Sequence, residues 1–248
     1  MRELGRRRRF LDPVLDAGRL INAPRGYARF VRDLRRYRAL GGAAPRRELY
    51  PQLHDRLPTS AYDQHYFHQD IWAARHVARF APQRHVDVGS RVDLVGFLTA
   101  ITHVTFVDIR PLEADLEDFE SIAGSVLAMP FDDASVASLS CLHVAEHIGL
   151  GRYGDPLDPQ GTRKAAVELA RVLAPAGQLL FSGPVGVPRT CFNAHRIHAP
   201  QDVVQMFDGL TLTEFGGIDD AGRFAVPRAL EDLAGADYAC GLFRFTRS

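Results

Sequence analysis

Apolar positions along the chain switch between a period of two and a period near 3.6, and each switch marks an element. Residues 85–110 read HVDVGSRVDLVGFLTAITHVTFVDIR. An alternating apolar run ends at Asp87-Val88-Gly89-Ser90. Val92, Val95, Leu98 and Ile101 follow at helical spacing, and a second β-rich run over 104–107 ends on Asp108. Strand, tight turn, helix and strand make a parallel βαβ unit.

The same pattern continues downstream. Residues 112–119 predict a short acidic helix, 125–130 a third strand with its loop, and 136–142 a fourth strand apolar enough to be buried on both faces. A glycine-rich loop, GLGRYGDPLDPQG, leads to a helix over about 162–173, which Pro175 and Gly177 stop before a fifth strand at 178–182. A polar loop over 183–198, a helix over 200–207 and two late strands at 210–215 and 239–246 complete the chain; the late strands suit an antiparallel edge. Alternating strands and helices imply a doubly wound, mostly parallel sheet. Its ligands belong beyond the carboxyl ends of the strands.

Upstream, Tyr27, Phe30, Val31, Leu34 and Tyr37 recur at helical spacing among Arg29, Arg32, Arg35, Arg36 and Arg38, which predicts an amphipathic basic helix. Gly41-Gly42 and Pro45 break it. A long helix is expected over 61–80, capped by Thr59 or Ser60 and carrying Tyr62, Tyr66, Phe67 and Trp72. The boundary between a basic N-terminal extension, 1–60, and the main domain, 61–248, falls there.

Charge changes the picture at one end only. Thirty basic residues balance thirty acidic ones, yet residues 1–48 hold fourteen arginines, including Arg6 to Arg9, against five acids. That face suits peripheral contact with anionic headgroups, or packing on the main domain with its arginines solvated. Nothing resembles a nucleic-acid fold, and no nucleic-acid partner is expected. No run is long and apolar enough for a membrane span, and the N-terminus lacks the apolar core of a secretory signal. Cys141, Cys191 and Cys240 form no metal or disulfide spacing. A cytoplasmic protein with reduced thiols is expected.

The turn at Gly89 sets the chemistry. Bare backbone at a helix N-terminus admits a ligand, and Asp108, about twenty residues on at the next strand tip, is placed to accept from a ribose diol. Arg91 stands where a dinucleotide-binding turn has its second glycine, so a pyrophosphate cradle is not expected. A nucleoside without a diphosphate fits, and S-adenosylmethionine (SAM) is the common one.

With HVDVGS, FVDIR, MPFDDASVASLSCLHVAEH and LARVLAPAGQLLFSGP in this order, the chain resembles the class I SAM-dependent methyltransferases over residues 85–184. YFHQDIWAAR, HVDVGSR, LSCLHVAEHIGLGRYGDPLDP and CFNAHRIH are similar to signatures of a methyltransferase-like family of unknown function, over residues 61–200, loosely associated with surface-polysaccharide genes. The resemblance implies an α/β fold on a seven-stranded, mostly parallel sheet, with SAM as cofactor. Position by position it implies that Asp87, Gly89 and Ser90 line the methionine part, Asp108 holds the ribose, Ala128 and Met129 flank the adenine, and Leu142 closes the site. Arg91 would pair with the SAM carboxylate or obstruct it, and Ser125 replaces the usual adenine-binding Asp.

Methyl transfer is mainly a problem of positioning, and a hydroxyl acceptor also needs a base. His143, Glu146 and His147 follow the fourth strand and are the catalytic candidates, with His143 or His147 as base. Arg152 and Asp155 in the glycine-rich loop and Arg189, His195, Arg196 and His198 in the later loop are candidates for binding a small-molecule or glycan acceptor. His143, His147 and one of His195 or His198 also form an alternative metal set, but no metal is assigned. A non-catalytic nucleoside-binding module is the alternative function.

Overall fold

The computed structural model describes residues 17–248, with side chains from residue 22 onward; the Arg6 to Arg9 stretch lies outside the described residues. The chain divides into two units, residues 1–62 and 63–248. In the first, helix α1, Ala17–Ala39, ends with Arg36 and Arg38 in its last turn, where the negative end of the helix dipole favours them. Gly41, at φ +89°, breaks the helix as its sequence predicts. Arg29 reaches back to the carbonyl of Leu53 at 2.7 Å. Among the described residues no helix is long and apolar enough to cross a membrane.

The second unit is built on one sheet. In chain order its elements are α2 (Gln64–Phe80), β1 (Arg84–Val88), α3 (Val92–Leu98), β2 (His103–Asp108), β3 (Phe119–Ala123), β4 (Val136–Leu142), α4 (Gly161–Val172) and β5 (Leu173–Val185). Then come β6 (Arg189–Cys191), β7 (His195–Ile197), α5 (Pro200–Met206), β8 (Thr211–Ile218), β9 (Phe224–Ala225), α6 (Glu231–Ala234) and β10 (Ala239–Thr246). The strand order is β3-β2-β1-β4-β5-β10-β8-β9. The first five strands are parallel and the last three antiparallel. The order reverses between β1 and β4, and in such a sheet that is where a ligand crevice opens.

Both faces of the sheet are covered. On one, Leu139, Leu179 and Phe243 pack with Ala166 and Leu169 of α4 and with Val203 and Phe207. On the other, Val104, Leu142 and Leu180 pack with Trp72 and Val77 of α2 and Leu94 and Leu98 of α3. Each buried leucine or phenylalanine contributes about 1.5–3 kcal/mol by leaving water. Trp72 Nε1 donates to Glu214 of β8 at 2.9 Å, and His76 meets the same oxygen at 2.8 Å, which pins α2 across the sheet.

Three expectations are corrected. The sheet has eight strands rather than seven, because β9 adds two residues to the β8 edge through Gly217↔Ala225. Helix α2 starts at Gln64 rather than 61: Asp63 accepts the Tyr66 amide at 3.1 Å and makes a better cap than Thr59 or Ser60. No helix forms over 112–119. Phe119 to Ala123 instead pair with β2 as the edge strand β3, so the third strand lies earlier than 125–130; sheet pairing overrides local preference here. As expected, the two late strands β8 and β10 form an antiparallel edge, with β10 between β5 and β8 and the short β9 outermost. The expected loop over 183–198 also contains the β6–β7 hairpin.

Candidate functional site

The crevice begins at the turn between β1 and α3. Gly89 adopts φ +66°, a left-handed conformation that L side chains rarely take, and its amide donates to Val107 O at 3.0 Å. A Cβ there would stand 3.2 Å from Val144 Cγ1 and 3.3 Å from Asp108 Oδ2. At the tip of β2, Asp108 Oδ1 accepts the Arg110 amide at 2.7 Å, which orients the carboxylate and leaves Oδ2 beside Gly89. Around them opens a cavity of about 440 Å³, a normal size for a small-molecule site. Gly89, Asp108, Ser125, Val126, Leu127 and Val144 line it, with Tyr153 to Pro156 of the glycine-rich loop. Arg110 stacks over Tyr153 at 4.6 Å and joins that loop to the tip of β2. Gly89→Ala should therefore strain the turn and crowd Val144 and Asp108, costing about 1–3 kcal/mol of stability in denaturant unfolding; unchanged stability would show that the turn relaxes to accept a Cβ.

Beneath the turn runs an oriented chain of buried polar groups. Gln178 donates to Ser138 Oγ at 3.1 Å, Ser138 Oγ pairs with His85 Nδ1 at 2.8 Å, His85 Nε2 with Ser140 Oγ at 2.9 Å, and Ser140 donates to Asp87. Asp87 Oδ1 in turn accepts the Ser90 amide at 3.0 Å. Burial raises the Asp87 carboxyl to about 6 against the lowering effect of its Ser140 and Ser90 donors. Burial also depresses His85 to about 3, so the ring stays neutral and can donate at one nitrogen while accepting at the other. Asp87 lines neither cavity; it shapes the turn instead of touching a ligand.

A second, polar cavity of about 340 Å³ adjoins the first, and the two share Gly89, His143, His147 and Tyr153. Tyr66, Arg91, Glu146, Arg152, His195 and Tyr238 also line it, with Ser90 and Leu142. His143 follows β4 in the left-handed region, φ +56°, held by its amide on Ser182 O at 3.1 Å. A histidine in that conformation costs on the order of 1–3 kcal/mol, strain of a kind that collects at functional sites. Its Nδ1 lies 2.6 Å from Gln69 Oε1 and therefore carries the hydrogen, while its Nε2 is sealed from solvent without a partner. Burial first, then the neighbouring histidines, depress it to about 3.

His147 is better exposed to the cavity. Its Nδ1–H is donated to Ala194 O at 2.5 Å, which leaves a lone pair on Nε2, 3.5 Å from Glu146 Oε1. Burial lowers the ring to about 4. Glu146 is 2% exposed, neither of its oxygens has a hydrogen-bond partner, and burial raises its carboxyl to about 8. At neutral pH the pair is therefore an acid beside an uncharged imidazole.

The structure regroups the sequence candidates. His143, Glu146, His147, Arg152, His195, Ser90, Arg91 and Leu142 border the polar cavity, with Gly89 and Asp108 in the larger one. Arg91, expected at the cofactor, lies outside the larger cavity's lining; it pairs with Asp93 at 2.7 Å and stacks over Tyr66 at 5.0 Å. Residues 125–127, rather than Ala128 and Met129, form the wall; the Met129 amide is tied to Glu168 at 2.7 Å. Asp155 lines the larger cavity, where its carboxylate takes the Gly149 and Tyr153 amides at 2.6 and 3.2 Å and so folds its own loop.

Arg196 is buried and committed to Ile148 O and Asp158 O at 2.6 and 2.9 Å, which makes it a loop clamp instead of an acceptor ligand. Arg189 pairs with Asp237 at 2.7 Å away from both cavities, and His198 borders a separate void of about 10 Å³ that Glu146 also reaches. Tyr238 was invisible to sequence reasoning as a site residue: it precedes β10 with no pattern that brings it to the crevice.

A doubly wound sheet with this crevice at its reversal point defines a Rossmann-like methyltransferase fold. Solved structures bear that out. A candidate sarcosine dimethylglycine methyltransferase from Galdieria sulphuraria is 16% identical, with 73% of this chain and 86% of that chain covered at a TM-score of 0.53. A candidate methyltransferase from Bacillus halodurans is 15% identical, with 71% and 97% covered and a TM-score of 0.50. The [4+2]-cyclase SpnF is 10% identical, with 76% and 84% covered and a TM-score of 0.55. A cyclase among them means that the fold alone does not fix the reaction. The family model described as "Caenorhabditis protein of unknown function, DUF268" matches residues 98–221, half of the chain, and the chain belongs to that family. No curated protein matches the sequence.

Proposed function

We propose that the chain is a SAM-dependent methyltransferase that O-methylates a small polar or glycan-like acceptor, with His147 taking the proton. The observation that carries this reading is the common wall: two cavities, one beside a ribose-type acid and one rich in hydrogen-bonding groups, meet at Gly89, His143, His147 and Tyr153.

The residues fit the cofactor. Gly89 leaves open the space that a Cβ would fill, and Asp108 Oδ2 remains beside it for a ribose diol. The loop at 125–127 would hold the adenine. Once bound, SAM supplies an electrophilic methyl on a sulfonium. The chain's own part is positioning and proton transfer. His147 enters as an uncharged base with its tautomer fixed by Ala194 O. Arg152 and His195 supply polar contacts for the acceptor, and the rings of Tyr66 and Tyr238 supply faces. His143 is less suited to be the base, because its free nitrogen is closed off.

Calorimetric titration with SAM and S-adenosylhomocysteine tests the reading. Micromolar binding is expected, weakened about 10–100-fold in Asp108→Ala by loss of charge-assisted hydrogen bonds to the ribose. No binding to the wild type would overturn the cofactor assignment. Binding without methyl loss to any hydroxyl acceptor would favour a non-catalytic nucleoside-binding module.

A further inference from the structure

Three side chains from separate elements converge behind the wall of the polar cavity. His65 in the first turn of α2, His143 after β4 and Cys240 in β10 each offer one ligand atom, and these atoms lie within 4.8 Å of one another. Among the described residues no other group of three or more histidine, cysteine or acidic side chains has this geometry. The set of His143 and His147 with His195 or His198 weighed from the sequence does not assemble.

The second observation is the state of His143. Gln69 Oε1 receives its Nδ1–H at 2.6 Å, and the same oxygen accepts Ser182 Oγ at 2.5 Å, so the orienting amide is itself held in place. Ligating histidines hold their second N–H on a carbonyl or carboxylate in this way, which fixes the tautomer and aims the lone pair. Here that lone pair, on Nε2, is buried and without a partner. A buried acceptor left unpaired is uncommon and calls for a ligand. Cys240 is a fully buried reduced thiol whose sulfur makes one weak contact, 3.9 Å to Gly241 O.

We propose that His65, His143 and Cys240 bind a single zinc-type divalent cation, with the fourth position left for water or an acceptor oxygen. One thiolate and two neutral imidazoles select a borderline ion such as Zn²⁺ over Mg²⁺ or Ca²⁺. Metal bonds of about 2.0–2.3 Å require the three atoms to draw together by roughly 1 Å. His65, on a first helical turn and only partly buried, can supply that movement. Binding forms an S–metal bond and breaks the Cys240 S–H bond, and the thiol proton leaves to solvent, one per ion. The ion would tie α2, β4 and β10 together where Tyr238, stacked on His65 at 5.4 Å, lines the polar cavity. The proposal does not rest on the methyl-transfer reading and departs from the sequence reading, which assigned no metal.

The test uses the untagged full chain, stripped with a chelator and titrated with Zn²⁺ and with Co²⁺. The expected result is one ion per chain, one proton released per ion, and a thiolate-to-cobalt charge-transfer band. Cys240→Ser should abolish the band, and both Cys240→Ser and His65→Ala should weaken Zn²⁺ by at least about tenfold. His65→Ala changes a partly exposed side chain, so it keeps the test decisive if the buried cysteine variant does not fold. Substoichiometric binding, or wild-type affinity in a folded variant, would overturn the proposal.

Discussion

Replacing His147 by alanine lowers kcat of the proposed methyl transfer by roughly 10²–10⁴-fold, the usual contribution of a positioned base. SAM affinity should remain within a few-fold, because the ribose and methionine contacts assigned to Asp108 and Gly89 do not pass through this ring. Ala194 O takes the Nδ1 hydrogen, so the lone pair on Nε2 has one orientation, and the side chain borders both cavities. Burial lowers the ring to about 4, so it is uncharged at neutral pH. Steady-state kinetics beside calorimetry separate the outcomes. Undiminished turnover would remove His147 from the mechanism, and a parallel collapse of cofactor affinity would make it a structural residue.

The other large effect is on stability. Glu146→Gln removes the alkaline limb of the pH–stability curve. In the unfolded chain this carboxyl titrates at 4.5, and burial raises it to about 8 in the folded protein. Between those values the folded state holds a proton that the unfolded state has lost, so stability falls as pH rises and stops falling past about 8. From pH 6 to 9 the wild type should lose about 3 kcal/mol more than the variant. For a chain of this size that corresponds to roughly 6–12 °C in Tm. On the acid side, His85, His143 and His147 are depressed to about 3, 3 and 4. Unfolding lets them take protons below pH 6.5, so stability also falls there, and the maximum lies near 6.5. Thermal melts of both proteins across pH 5–9 decide it; identical alkaline limbs would show that the Glu146 carboxyl is not held protonated.

Much of the fold was legible because burial leaves a periodic trace. The run at 85–88 alternates apolar and polar residues, those at 104–107, 136–142 and 239–246 are mostly apolar, and the structure buries nearly all of their positions. The segment at 112–119 misled for the opposite reason. Its acidic residues suit a helix, but Phe119 to Ala123 lie against the open edge of β2, and pairing there satisfies backbone groups that a short isolated helix would not.

The candidate site divides along the same line. Gly89 and Asp108 could be read directly, since a turn glycine and a strand-tip acid are fixed by local geometry within one βαβ unit. The roles of the arginines could not. Arg152 lies in the glycine-rich loop and Arg196 in β7, and one borders the polar cavity while the other is buried on two carbonyls. Which of them faces a ligand depends on how the 149–160 loop crosses the β6–β7 hairpin, and no residue in either loop encodes that.

By itself the sequence determined an α/β chain on a mostly parallel sheet, a tight turn at Gly89 with an acid at the tip of the next strand, Asp108, and a cluster of titratable groups after the fourth strand. These are consequences of neighbours close in sequence. Only the tertiary structure decided that Asp87 shapes the turn from beneath, that Tyr66 and Tyr238 wall the polar cavity, that Glu146 is buried without partners, and that His65 and Cys240 meet His143. Each of those depends on contacts between residues far apart in sequence, β1 on β4 for Asp87 and α2 and β10 against the end of β4 for the others, and the free energy that fixes such contacts is shared across the whole core.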